Sequence, residues 1–129
     1  MIAVSLAEEV HRMLINKFGG TNGIRDLPAL ESALLRPFQT FEDINLYPDA
    51  LHKAAAIIES IIANHPFIDG NKRTGYVLMR LFLISNNLDI HASQQEKFEF
   101  VISIANGSRN YNEIIGWLKV FTVNKNNFK

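Results

Sequence analysis

An apolar segment between Asn71 and Asn87 constrains the fold of this chain more than any other feature of its sequence. Its apolar side chains neither alternate nor keep to one helical face: Tyr76, Val77, Leu78, Met79, Leu81, Phe82, Leu83 and Ile84. A helix that is apolar on nearly all sides is stable in water only when other elements surround it. We therefore expect a buried central helix that begins near Asn71 and ends at Asn86 and Asn87.

The first two helices are predicted from the signals at their ends. Ser5 followed by Glu8 is a capping-box pattern, and apolar residues then recur at helical spacing as far as Gly19. Asp26 can cap a second helix that tolerates a proline in its first turn. That second helix should stop near Pro37.

Three further helices, the third, fifth and sixth of the chain, complete the expected fold. A long third helix should run from about Pro48 to Asn64, because Pro66 disfavours helical geometry at His65. The fourth is the apolar segment described above. Two more should open with capping-box pairs, Ser93 with Glu96 and Asn110 with Glu113.

The segment 37–48 departs from the helical pattern. Proline stands at both of its ends, and the aromatic and β-branched residues between them favour extended structure. We expect a loop or a short hairpin here.

No repeat or linker interrupts the chain, so we predict one compact domain over 1–129. Its fold should be all-α, a bundle of about six helices with a short flap hairpin or loop. The tail, at about 122–129, should be frayed.

The composition excludes several classes of function. Thirteen basic residues balance thirteen acidic ones, so overall charge gives no argument for a nucleic-acid or membrane partner. The absence of cysteine excludes disulfides, thiolate catalysis and cysteine-based zinc sites. The N-terminal residues do not form a signal peptide, and no apolar segment reaches the roughly 20 residues that span a bilayer. We expect a cytoplasmic protein in which any phosphate site is local.

The connection between the third and fourth helices carries the candidate chemistry. Gly70 permits positive φ or close approach of a ligand, and Asn71 is a good N-cap. Lys72 and Arg73 follow in the first helical turn, where the helix dipole disfavours each cation by about 0.3–1 kcal/mol. Such cations, beside free backbone N–H groups, are typical of an anion site. A capped helix start with two solvated charges is the simpler alternative.

Two residues just before this turn extend the hypothesis. His65 is a candidate general base, and Asp69 is a candidate metal ligand. Each also has an ordinary structural explanation, since a loop histidine is commonly surface and a loop aspartate commonly a cap.

The segment HPFIDGNKRTG at 65–75 resembles the signature of the Fic/Doc family, a His-x-Phe-x-Asp/Glu-Gly-Asn loop followed by Gly or Lys and then Arg. The resemblance extends to FGGTNGIRDLPALESAL and to the helix that precedes His65. It covers roughly residues 10–90 and is greatest to the compact Doc (death-on-curing) branch. It implies a compact helical bundle that modifies a protein hydroxyl with a group taken from ATP.

The resemblance also implies a role for each motif residue. His65 would take the proton of the target hydroxyl, and Asp69 would hold Mg²⁺ against the phosphates of ATP. A phosphate would lie against the backbone amides of Gly70, Asn71 and Lys72 and pair with Arg73. The loop would be anchored in the core by Phe67.

The segment 37–48 occupies the place of the family's flap, a hairpin that aligns the target as an added strand. Its expected target contacts are Phe41, Ile44 and Tyr47. An ordinary connection between helices, with packed aromatic residues, is the alternative.

Two departures from the AMP-transferring Fic pattern favour the Doc branch. That pattern usually has Gly where Lys72 stands, and a second Arg where Tyr76 stands. The Doc branch implies reversed binding of the nucleotide and transfer of the γ-phosphate, so we favour phosphorylation. Gly70 agrees with the Fic pattern instead, since Doc has Ala there. AMP transfer therefore stays open, and so does a catalytically silent protein that only binds a partner or a nucleotide.

The Doc resemblance further suggests the toxin of a toxin–antitoxin pair, with a separate antitoxin and a translation factor such as elongation factor Tu as target. Ser5 and Glu9 come close to the family's inhibitory motif without completing it. Four residues outside the motif are expected to be structural: His11, His52, His91 and Trp117. Arg80 interrupts the apolar fourth helix and should have an acidic partner or reach the surface.

Overall fold

A computed structural model describes residues 1–125. Six α-helices make up most of these residues: α1 (Val4–Phe18), α2 (Leu27–Leu35), α3 (Ala50–Asn64), α4 (Asn71–Ser85), α5 (Gln94–Ala105) and α6 (Tyr111–Phe121). A 3-10 helix (Arg36–Phe38) follows α2, and two antiparallel strand pairs join β1 (Thr40–Phe41) to β2 (Ile44–Asn45) and β3 (Leu88–Ile90) to β4 (Thr122–Asn124). The predicted all-α bundle with a short hairpin is confirmed.

Most of the helix starts follow the local signals in the sequence. The Asp26 carboxylate accepts a hydrogen bond from the Ala29 amide at the start of α2. Both halves of the predicted capping boxes form at α5 and α6. These ends depend on contacts within four residues, which explains why the sequence alone predicts them.

The predicted cap of α1 is wrong. This helix begins at Val4, its N-cap is Ala3, and no side chain caps it. Because the Ala7 amide already bonds to the Ala3 carbonyl, Ser5 lies inside the first turn and cannot act as the N-cap.

The central helix is α3 rather than α4. Helices α2, α4, α5 and α6 and the 3-10 helix all pack against α3. Its buried residues occupy every side: Ala54, Ala55, Ala56, Ile57, Ile58, Ser60, Ile61 and Ile62. In contrast, α4 leaves Arg80 and Leu81 exposed. Small alanine side chains let neighbours approach α3 from several directions, which a count of large apolar residues does not reveal.

The prediction of a frayed tail is wrong for Thr122–Asn124. These residues form β4 and pair with β3 in the register Leu88↔Asn124 and Ile90↔Thr122. The partner strand follows directly after α4, so the pairing joins segments more than 30 residues apart and leaves no local sequence signal. Residues 126–129 of the predicted tail lie outside the described residues.

Two predictions for single side chains are confirmed. Arg80 binds Asp89 through two hydrogen bonds of 2.9 and 3.1 Å, which provides its acidic partner. Trp117 is buried and stacks on Phe100 with 3.8 Å between ring centroids. Within the described residues, no helix has the length and apolar character needed to cross a membrane.

Candidate active site

His65 ends α3 and turns the chain toward α4. Its backbone adopts the left-handed conformation (φ 48°, ψ 55°), and its amide still bonds to the Ile61 carbonyl. The helix stop predicted from Pro66 is therefore confirmed. The imidazole is exposed, and its Nδ1 atom lies 3.3 Å from the Ala63 carbonyl oxygen. An exposed ring on a strained, fixed backbone is accessible to a second molecule.

Arg25 holds the backbone that carries His65. Its Nε atom donates to the His65 carbonyl at 2.6 Å, and its Nη2 atom donates to the Asn64 carbonyl at 2.7 Å. Both carbonyls belong to the end of α3, where acceptors lack helical partners and a cation is favourable. Sequence reasoning missed this role, because Arg25 lies some 40 residues from the groups it binds.

A short stretch of extended backbone fixes the loop further. Ile24 and Phe67 form an isolated antiparallel bridge, and the Ile68 amide donates to the Gly23 carbonyl at 3.0 Å. The Pro66 carbonyl accepts from the Arg25 amide at 2.8 Å. The α1–α2 connection therefore holds the loop along its length.

Phe67 is fully buried, in the position expected of a loop anchor. The ring of His11, also buried, stacks on it with 4.0 Å between centroids and 6° between planes. The His11 Nε2 atom lies 2.7 Å from the Asp69 carbonyl oxygen, where it donates as N–H. The packing role expected for His11 is thus confirmed, and the contact with the loop is an addition that sequence reasoning missed.

Asn71 ties the loop to itself instead of capping α4. Its Oδ1 atom accepts from the Phe67 amide and its Nδ2 atom donates to the Phe67 carbonyl, both at 2.9 Å. The N-cap is Gly70, in the left-handed conformation with φ 77°. The predicted cap is wrong because Asn71 is already helical, so its side chain points back over the preceding turn.

The Asp69 carboxylate is exposed but held in one orientation. Its Oδ1 atom accepts from the Gly70 amide at 2.8 Å, and its Oδ2 atom accepts from the Thr21 amide at 3.2 Å. Gly20 (φ 112°) lies so close that a Cβ there would meet Oδ2 at 2.7 Å. Mg²⁺ is commonly held by one or two protein carboxylates together with substrate phosphates. Among the described residues no group of three metal-ligating side chains occurs, so a single carboxylate agrees with that mode of binding.

The N-terminus of α4 has the geometry expected of an anion site. No side chain caps it, and within residues 1–125 the amides of Asn71, Lys72 and Arg73 have no hydrogen-bond acceptor. The Lys72 and Arg73 side chains are exposed, and the Arg73 guanidinium lies 4.1 Å from the centroid of the Phe18 ring. Backbone donors, the positive end of the dipole and two cations converge at one place.

A cleft of about 430 Å³ opens beside this N-terminus. Its lining comprises Asp69, Gly70, Asn71, Lys72, Arg73, Tyr76, Gln94, Lys97, Phe98, Val101 and Ile102. His65 is not among these residues. The imidazole is exposed on the same turn but does not line the cleft.

A larger cavity, of about 510 Å³, lies between the 3-10 helix, α3 and the α5–α6 connection. Two of its charged groups, Arg36 and Glu59, pair at 2.8 Å, and Arg36 also donates to the Ser60 hydroxyl at 2.9 Å. A third, Arg109, donates to the Ser103 hydroxyl at 2.8 Å. Among the described residues, no ion pair involves the charged groups that line the cleft beside α4, and we regard this cleft as the better candidate for a phosphate compound.

The predicted flap is a two-stranded hairpin. Phe41 pairs with Ile44, and the two turn residues Glu42 and Asp43 both have positive φ, as in a two-residue type I′ loop. Phe41 and Ile44 are 66% and 68% exposed, so their side chains are free to contact a target. Tyr47 instead lies at the base of the hairpin, where its hydroxyl accepts from Arg36 Nε at 2.7 Å. The structure therefore brings together two of the three predicted contacts.

Three other side chains considered in the sequence lie apart from the turn between α3 and α4. His52 bonds to Asp49 at the start of α3, His91 is exposed beyond β3, and Glu9 is exposed on α1. None of these residues lines the cleft.

A sequence model of the Fic/DOC family matches residues 2–83. That range is more than half of the chain and contains the hairpin, the His65 turn and most of α4. The chain belongs to the Fic/DOC family. The relative named Toxin Doc, from Mycolicibacterium smegmatis, is 39% identical over 75 residues, which are 58% of this chain and 58% of that protein. The similarity thus spans just over half of the relative's length, and it supports the Doc-like branch of the Fic/DOC family.

Proposed function

We propose that this Fic/DOC protein transfers the γ-phosphate of ATP to a hydroxyl group on another protein. The observation that carries the proposal is the turn between α3 and α4. It holds an exposed imidazole at His65 and an oriented carboxylate at Asp69. Within residues 1–125, the start of α4 has no side-chain cap, and its two cations, Lys72 and Arg73, form no ion pair. Phosphoryl transfer depends on positioning and electrostatic stabilisation more than on covalent chemistry, and these groups can supply both.

In this proposal each group of the turn has its own role. His65 accepts the proton of the target hydroxyl as the new oxygen–phosphorus bond forms and the bond to the bridging oxygen of ADP breaks. The amides of Asn71 and Lys72 and the Arg73 guanidinium bind the oxygens of the transferred phosphate. Gly70 contributes its conformation and not its amide, because that amide donates to Asp69.

Asp69 is the residue that would hold Mg²⁺, together with the ATP phosphates. When bound, the metal ion would neutralise negative charge on those phosphates. The hydrogen bonds to Asp69 from Gly70 and Thr21 restrict its carboxylate before any ligand arrives.

AMP transfer is the second candidate. It is favoured by Gly70, whose φ of 77° suits glycine and which matches the Fic pattern. Lys72 and the uncharged Tyr76 favour γ-phosphate transfer, since both depart from the pattern of AMP-transferring Fic proteins.

The biological setting follows from the Doc resemblance and from the relative named Toxin Doc. We propose that the chain acts in the cytoplasm as the toxin of a toxin–antitoxin pair. Its target would be a translation factor such as elongation factor Tu, aligned by Phe41 and Ile44 of the hairpin. A separately encoded antitoxin would restrain it, because Ser5 and Glu9 do not complete the family's inhibitory motif.

The test is His65→Ala in a transfer assay with bacterial lysate, Mg²⁺ and ATP labelled in its phosphates. We expect the wild type to label a protein, and His65→Ala to bind ATP with unchanged affinity but label nothing, because a base acts in the transition state. His52→Ala is the matched control and should label normally. A wild-type chain that binds ATP but labels no protein would support the silent binding protein instead.

A further inference from the structure

The larger cavity, of about 510 Å³, lies next to both elements that the proposed function assigns to the protein target. Gln39, which directly precedes β1 of the hairpin, lines this cavity, and so does Asn64, which directly precedes His65. We call it the hairpin cavity. A target segment that lies along the hairpin and presents its hydroxyl to His65 therefore passes close to the hairpin cavity.

Arg36 fixes the hairpin relative to the hairpin cavity. Its Nε atom donates to the Tyr47 hydroxyl at the base of the hairpin at 2.7 Å, and its Nη1 atom donates to the Ser60 hydroxyl on α3 at 2.9 Å. The same Nη1 atom lies 2.8 Å from a carboxylate oxygen of Glu59. Because the charges of Arg36 and Glu59 offset each other, a ligand in the cavity meets little net charge from this pair.

Arg109 supplies the other charge in the lining of the hairpin cavity. Its Nε atom donates to the Ser103 hydroxyl at 2.8 Å, and its backbone amide donates to the Ser103 carbonyl at 3.0 Å, so the end of α5 holds this residue in place. Within residues 1–125, Arg109 forms no ion pair, and its two Nη atoms have no hydrogen-bond acceptor. Arg109 is half-buried, and its Nη atoms can donate to a second molecule.

A carboxylate on the target is the group that fits this lining best. The two Nη atoms of a guanidinium donate parallel hydrogen bonds whose spacing matches the two oxygens of a carboxylate. A basic side chain would meet two guanidinium groups against one carboxylate, and an apolar side chain would desolvate Arg109 without giving it a partner. A phosphate group would suit the same donors, but the position of the cavity beside the hairpin favours a group that the target carries.

We propose that the hairpin cavity binds an acidic side chain of the protein target, whose carboxylate pairs with the Nη atoms of Arg109. This inference rests on the proposed function and deepens it, because it names a chemical feature that the target must carry close to the modified hydroxyl. His65 does not line the cavity. Arg109 therefore determines the affinity for the target and leaves the chemical step unchanged.

The experiment is a double-mutant cycle between this chain and the protein that the wild type labels in lysate. That protein is purified, and each acidic residue close to its modified hydroxyl is changed in turn to the corresponding amide. Arg109→Gln should raise KM for the target roughly 10- to 100-fold, the effect of losing a hydrogen bond to a charged group, while kcat and KM for ATP stay near their wild-type values. One amide variant of the target should raise KM for the wild type by a similar factor and cause no further rise with Arg109→Gln.

Charge reversal gives a second measurement, in which function is restored. Arg109→Glu should lower KM for a target in which that same acidic residue is replaced by arginine, relative to the KM of the wild type for that target. Lys119→Gln removes a charge at an exposed position of α6 outside the cavity, so it is the matched control and should change no KM value.

The possible outcomes separate this inference from the proposed function. If no acidic residue of the target couples to Arg109, or if Arg109→Gln raises KM for ATP and not for the target, the pairing is overturned and the proposed function stands. If Arg109→Gln does not fold, the wild-type chain still decides, since the pairing is overturned when no amide variant of the target raises its KM. If the wild type labels no protein through His65, the proposed function fails and this inference fails with it.

Discussion

The ring of His11 lies parallel to that of Phe67, with 4.0 Å between their centroids, while its Nε2 atom donates to the Asp69 carbonyl at 2.7 Å. One side chain of α1 thus contacts both the buried anchor of the loop and the backbone of the residue proposed to hold Mg²⁺. The position of Asp69 is therefore set by a helix that carries none of the motif.

His11→Phe should lower both the rate of transfer and the stability of the protein. Phenylalanine retains the stack on Phe67 but leaves the Asp69 carbonyl without its donor. We expect a loss of about 1–3 kcal/mol in the free energy of unfolding and roughly a 10- to 100-fold lower kcat from a displaced loop. Denaturant unfolding and transfer kinetics measure the two effects.

His11→Gln can still donate a hydrogen bond and should restore part of the activity lost in His11→Phe. Equal kcat values for His11→Phe and the wild type would mean that the hydrogen bond to Asp69 does not position the loop.

Gly20→Ala should impair transfer, and Gly19→Ala is its matched control. Both glycines have positive φ, 112° and 89°, so alanine carries a similar backbone strain at either position. Only at Gly20 would the new Cβ meet the Asp69 carboxylate, at 2.7 Å. At Gly19, no described residue other than its chain neighbours lies within 4 Å of a Cβ. We expect Gly20→Ala to lose more stability than Gly19→Ala, because its Cβ would also lie 3.0 Å from Ile15 Cδ1, and Gly20→Ala alone to need more Mg²⁺ for half-maximal transfer. If Gly20→Ala and Gly19→Ala need the same Mg²⁺ concentration for half-maximal transfer, Asp69 is not the metal ligand.

Asn71→Ala should destabilise the protein by about 1–3 kcal/mol, because it leaves the buried amide and carbonyl of Phe67 without partners. The control is Asn112→Ala, at an exposed position in the first turn of α6, which should change stability by less than about 0.5 kcal/mol. Chemical denaturation measures both. If the two variants lose similarly little stability, the hydrogen bonds between Asn71 and the Phe67 backbone contribute nothing to the stability of the fold.

The Arg80–Asp89 pair should make stability depend on pH in the acid range. The hydrogen bond from Arg80 lowers the pKa of Asp89 below its usual value. The contribution of the pair to the free energy of unfolding is therefore complete above the unfolded pKa of about 4. It is lost as the pH falls through the lower pKa of the folded protein. Because Arg80 is half exposed, we expect the contribution of the pair to be below about 1 kcal/mol.

Asp89→Asn should accordingly lower stability at pH 7 and make no difference at about pH 2. Asp43→Asn, at the exposed hairpin turn, is the control and should make little difference at either pH. A loss from Asp89→Asn that is the same at both values would mean that the carboxylate charge is not the cause.

Features set by near neighbours in sequence could be predicted, and features set by distant partners could not. Pro66 predicted the end of α3, and Ser93 with Glu96 predicted the start of α5, because each acts within a few residues. His11 and Arg25 were missed as positioning residues, because they bind groups 58 and 40 residues away.

The same limit applies to the larger elements. The pairing of β4 with β3 and the central place of α3 arise from packing between segments far apart in the chain. The motif from His65 to Arg73 was found because its residues are adjacent in the sequence and resemble the Fic/Doc signature. The α5 residues that line the cleft carry no such pattern, and only the fold brings them there.

The most direct measurement of γ-phosphate transfer compares two samples of ATP, one labelled at the α-phosphate and one at the γ-phosphate. Each is incubated with bacterial lysate and either the wild-type chain or His65→Ala. We expect the wild type to label a protein from γ-labelled ATP only, and His65→Ala to label none. Protein labelling from α-labelled ATP that requires His65 would contradict phosphate transfer and show that the chain transfers AMP.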